Sequence, residues 1–141
     1  MIVFLKILHF LALAAAVGGG ISNMASAMQM KSAEGPAKAA IGAIQQRVAR
    51  ISALALVVLW ITGIWLVYAI YGGWAGLSWA FWAKIAAVVG LTATSATAQV
   101  MMARARAGKG PPPATIVPRL GRAGMVFALA SVVLATVAFT Y

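Results

Sequence analysis

The chain has 141 residues, 64% of them hydrophobic and 9% charged, with a mean hydropathy of +0.99 and no Cys. Soluble domains run at about 45–50% apolar and about 25% charged, so a water-solvated enzyme domain is not expected and the bilayer is the natural solvent. The net charge of +10 sets eleven Lys or Arg against one acid, Glu34. Most of these cations fall in two short segments between apolar runs, where the positive-inside rule accounts for them. Nucleic acid is therefore not an expected partner, and anionic lipid is.

Four apolar runs are expected to cross the membrane, at about residues 2–30, 51–71, 78–102 and 123–141. Each approaches or exceeds the roughly 20 residues that cover about 30 Å of hydrocarbon. Backbone groups in that layer must pair within their own segment, so the runs read as helices. The expected fold is a single all-α, integral membrane four-helix bundle with a short outer hairpin between helices 2 and 3.

The first run contains Lys6 and an Ala25-Ser26-Ala27 triplet that resembles a signal-peptide cleavage site. Lys6 is embedded among Leu5, Ile7 and Leu8 rather than in a polar leader, so the run is expected to be retained as a span. In this run Ala14, Gly18, Ser22 and Ser26 recur every four residues, the small-residue pattern that lets helices approach closely.

The first loop, residues 31–50, carries Lys31, Lys38, Arg47 and Arg50, with Gly35-Pro36 as its only break; Ala37 to Arg50 can continue as helix. The hairpin Gly72-Gly73-Trp74-Ala75-Gly76-Leu77 carries no charge. The last loop, residues 103–122, carries Arg104, Arg106, Lys109, Arg119 and Arg122, and its Pro111-Pro112-Pro113 run predicts an extended connector. The basic loops are expected on the cytoplasmic side of a bacterial inner membrane, with the hairpin and both termini periplasmic. Trp60, Trp65, Tyr68, Tyr71, Trp74, Trp79 and Trp82 gather around the hairpin and read as an outer interfacial belt, or as a stacking platform for a flat cofactor.

Three ionisable residues fall well within spans: Lys6, His9 and Lys84. Such residues are costly in hydrocarbon and are candidates for a site. Lys6 and His9, three apart, share a face of helix 1, and the topology expects Lys84 at a similar depth. No span holds a carboxylate, so a ligand carboxylate or propionate is a fitting counter-charge. The alternative is that the lysines snorkel to the interface and His9 bonds a neighbouring helix. Two His within one copy are excluded, because His9 is the only one. Methionine can be an axial haem ligand, yet Met24, Met28, Met30, Met101 and Met102 fall toward the other side, with Met1 the main exception. A two-His site across a homodimer stays open. In helix 3, Lys84, Thr92, Ser95 and Gln99 form a stripe, with Thr94 and Thr97 off it; interhelical hydrogen bonding or a polar path would explain the stripe. A phosphate-binding loop and a metalloprotease motif are absent, and a serine–histidine–acid triad has no acid in reach, so no catalytic residue is expected.

Lys6-Ile7-Leu8-His9, followed by a Gly-rich stretch, resembles the K-x-x-H opening of the superfamily that includes HemJ-type protoporphyrinogen oxidases and copper-resistance protein D-like membrane domains. Arg47-Val48-Ala49-Arg50 leading to Thr62-Gly63, and Trp82-Ala83-Lys84, resemble that group's second helix and the start of its third. The resemblance implies a four-helix core and a b-type haem or metal on His9, with Lys6 and Lys84 facing the propionates. The chain departs from the group in having no second His for copper and no aromatic-rich continuation after His9. The expected function is a small haem- or redox-associated membrane protein. The alternatives are a non-catalytic accessory subunit, packed against other membrane subunits or a second copy of itself, and a small transporter. The transporter is disfavoured by the lack of intramembrane acids.

Overall fold

A computed structural model describes residues 1–110 and 115–140, with side chains described through residue 137. The chain is all-α, with four helices and no strand among the described residues: α1 Ile2–Met30, α2 Gly35–Tyr71, α3 Trp79–Arg106 and α4 Ile116–Thr140. All four are long and apolar enough to cross a membrane. The chain is therefore a multi-pass integral membrane protein. The proline connector at 111–113 and the expected end of the last span at Tyr141 lie outside the described residues.

Two spans begin earlier than their hydropathy suggests. α2 starts at Gly35, with Pro36 in its first turn, where a missing N–H costs nothing. Its 37 residues make a rod of about 55 Å, so it outruns the roughly 30 Å of hydrocarbon. The basic stretch to Arg50 is thus helical, as Ala37 to Arg50 allowed. α4 begins at Ile116 rather than near 123, and takes in Pro118, Arg119 and Arg122. Charge moves the hydropathy boundary inward, but it does not stop a helix. α2 ends at Gly72, whose φ of 69° is the left-handed cap conformation that glycine adopts without strain.

The chain divides into two compact units, Met1–Gly76 and Leu77–Tyr141. In the first, α1 packs antiparallel on α2. Leu5 and Ala12 of α1 and Ala55, Leu56, Leu59, Thr62 and Val67 of α2 are buried. Gly19 sets the closeness of the pair, because a Cβ there would run into the Ser52 side chain. Ala14 and Gly18 of the small-residue repeat take no part in this seam. Ala14 and Gly18 are exposed, and a Cβ at Gly18 would meet nothing. The seam follows a mixed three- and four-residue rhythm through Leu5, Ala12 and Gly19, the rhythm of left-handed helix pairs, not a strict repeat of four.

In the second unit α3 packs antiparallel on α4, with Ala80, Phe81, Ala87 and Leu91 buried from one side and Ala128 and Ser131 from the other. The Phe127 ring lies on Gly90, where an added Cβ would stand 2.8 Å from it. Thr94 lies against Gly124, 3.3 Å from an added Cβ. Thr92, Thr94 and Thr97 each donate to a carbonyl of α3 itself, at Val88, Gly90 and Ala93. Thr94, off the Lys84–Thr92–Ser95–Gln99 stripe, stands at the contact with α4.

Lipid tails are as apolar as leucine, so helix pairs in a bilayer are held by close packing rather than by the hydrophobic effect. Overpacking such a seam costs on the order of 1–3 kcal/mol. Gly90→Val is expected to lower the thermal unfolding midpoint of the detergent-solubilised protein clearly. Gly18→Val should leave it within a degree or two. Equal effects from the two would contradict these seams.

Candidate functional site

His9 lies half-buried on α1, toward α2. Its Nδ1 is 2.8 Å from Thr62 Oγ1. Thr62 is only 2% exposed, and its hydroxyl is also 2.6 Å from the carbonyl oxygen of Val58, one turn back on α2. A carbonyl carries no proton, so the proton in that short contact belongs to Thr62. Having spent its one proton on Val58, the hydroxyl accepts from His9, and Nδ1 is the protonated nitrogen. In the neutral ring Nε2 then carries the lone pair.

The neighbouring residue makes room for the ring. A Cβ at Gly63 would stand 3.4 Å from His9 Cε1. Thr62 thus fixes the proton while Gly63 admits the ring edge against the α2 backbone. Phe10 meets the imidazole edge-on at 6.5 Å between centroids. The site is a helix-to-helix relay from imidazole N–H to hydroxyl to backbone carbonyl.

Lys6 sits nearly one turn from His9 on α1 and is exposed. A lysine stem of this length can carry its ammonium toward the interface. Lys84 belongs to the second unit, where it is half-buried with Nζ 5.8 Å from the centre of the Phe81 ring. The structure thus brings His9 together with Thr62 and Gly63, two residues the sequence reading gave no role at the site. The signal was present. Thr62-Gly63 is a polar–small pair inside an otherwise apolar run, but nothing in sequence pairs it with a residue 53 positions away.

A protein-only metal site generally needs three or more ligands. Among the described residues no group of three His, Cys, Asp or Glu exists to hold an ion. A porphyrin brings four nitrogens of its own, so one imidazole is enough to hold haem iron. The donor set therefore fits a haem better than a bare ion.

The aromatic residues flank the hairpin. Trp65, Tyr68, Tyr71, Trp79 and Trp82 are exposed, and the Trp74 ring N–H donates to the Tyr68 hydroxyl at 3.1 Å. Trp60 does not belong with them, since eleven residues of helix set it about 16 Å from Tyr71. Comparison with family models, with curated proteins and with solved structures gives no match for this chain.

Because His9 is the only histidine, its nitrogen signals in ¹⁵N-labelled protein need no assignment. The wild type is expected to show the Nδ1–H tautomer. Thr62→Val should shift the ring to a mixture of tautomers and destabilise the α1–α2 pair by about 1–3 kcal/mol, the cost of an unsatisfied buried donor. An Nε2–H tautomer in the wild type would refute the relay.

Proposed function

We propose that this chain is a small integral membrane protein that holds a haem b through His9. The observation that carries the reading is the His9–Thr62–Val58 relay. Metal-binding histidines generally donate their second ring N–H to a fixed acceptor, which sets the tautomer and makes the other nitrogen more basic. Here Thr62 is that acceptor, and Nε2 is the nitrogen that would take the iron. Lys6, nearly one turn along α1, is the first unit's candidate counter-charge for a propionate. A bound haem would supply one-electron redox chemistry. The chain's own residues orient the imidazole, hold its proton and keep the ring packed on α2. The resemblance of Lys6-Ile7-Leu8-His9 and Thr62-Gly63 to HemJ-type and copper-resistance protein D-like proteins supports the same reading. No catalytic residue is assigned.

One observation favours a second reading, an accessory subunit without a cofactor. Ala14 and Gly18 present a small-residue face of α1 that α2 does not use. Another helix could pack closely there.

The absorption spectrum of the purified protein, oxidised and dithionite-reduced, decides between them. Protein expressed with ample haem is expected to show a Soret band that His9→Ala abolishes and Thr62→Val weakens. A featureless wild-type spectrum would discard the haem reading and leave the accessory subunit.

For orientation we propose a bacterial inner membrane with both termini periplasmic, on the charge difference between the loops. The chain has no Cys, so one introduced thiol is unique. An impermeant maleimide should label Ala75→Cys in cells with a permeabilised outer membrane, and Ser32→Cys only after the inner membrane is opened. The reverse pattern would invert the topology.

A further inference from the structure

We propose that α4 carries a binding site for one anionic phospholipid, its phosphate held by Arg119 and Arg122 and an acyl chain lying along Val126, Leu129 and Val133. The face of α4 turned to α3 is defined by Gly124 against Thr94, Phe127 on Gly90, and the buried Ala128 and Ser131. A different face is left open. Val126 is 65% exposed, Leu129 54% and Val133 60%. With Arg119 and Arg122, both exposed, these residues follow a three- and four-residue spacing and so form one continuous stripe.

The stripe has the form of a lipid: two cations at its head and an apolar track behind them. From Arg122 to Val133 is about 16 Å of helix, close to the roughly 15 Å of one hydrocarbon leaflet. The guanidinium fork matches phosphate oxygens in pairs, and its methylene stem can run along the helix while the head stays at the interface. Both arginines stand in the first two turns of α4, whose aligned backbone dipoles also favour an anion. Residues 77–141 contain no Asp or Glu, so no side-chain carboxylate in this unit competes for them. Arg104 and Arg106 in the last turn of α3 add to the local positive field. The complementary charge at this depth is a lipid phosphate of the facing leaflet.

Native mass spectrometry of the full-length protein in detergent tests this with phosphatidylglycerol and phosphatidylcholine of identical chains. The first phosphatidylglycerol is expected to bind more tightly, by about fivefold for each arginine engaged. Arg119→Gln should remove one such factor, and Arg119→Gln with Arg122→Gln should reduce the preference to near unity. Arg119→Lys with Arg122→Lys should keep most of it, and Arg47→Gln with Arg50→Gln, in the other unit, should leave it within twofold. Circular dichroism checks that each variant is helical. If the double Gln variant does not fold, the wild type still decides, because raising the salt tenfold must erase the preference. The site is overturned if the Gln variants bind phosphatidylglycerol as well as the wild type does. It is also overturned if salt leaves the preference intact, or if a short oligonucleotide or polyglutamate displaces the lipid at equal concentration.

Discussion

In hydrocarbon no water takes up an unpaired proton or lone pair, and that constraint organises this chain at every level. It makes each apolar run a helix, because only a helix pairs every backbone group within one segment. It then acts on side chains. Thr92, Thr94, Thr97 and Ser131 spend their hydroxyl protons on carbonyls of their own helices. Thr62 does the same to Val58, which leaves its lone pairs as the acceptor that His9 needs. The tautomer of the only histidine is thus set by a helix-internal bond made one turn away.

Packing follows from a second consequence of the same solvent. With no water to expel, a helix pair gains mainly from close contact, so the places where a side chain is missing matter most. Gly19 lets Ser52 reach the α1 backbone, Gly90 receives the Phe127 ring and Gly63 admits the edge of His9. Two of these glycines fix helix separation. The third, at the candidate site, joins packing to chemistry, since the ring that Gly63 accommodates is the ring that Thr62 orients.

Charge divides the molecule along its length. Nine of the eleven Lys and Arg fall in the segments 31–50 and 103–122, and the hairpin between α2 and α3 has none. Seven of these nine cations sit on helices rather than in loops, Lys31 and Lys109 being the exceptions. That is why α4 can present Arg119 and Arg122 in register with its own apolar stripe. A loop arginine would have no such fixed relation to an acyl chain.

Much of this was legible in the sequence. The four spans and the all-α class follow from composition and hydropathy, because these depend on each residue's own transfer energy and position. The helix starts at Gly35 and Ile116 were harder to read, since a hydropathy window ends at a charge while a helix ends only where its hydrogen bonds do. The seam between α1 and α2 was hard to read for a related reason. A repeat of four picks Ala14 and Gly18, but two helices in contact follow a seam alternating threes and fours. The pairing of His9 with Thr62, the open edge at Gly63 and the approach of Phe127 to Gly90 belong to tertiary structure alone. The sequence by itself determined which residues enter the membrane, because that is a sum over single residues. Only the fold decided which of them meet, because contact between residues 53 apart depends on the register of two helices, and no local energy sets that register.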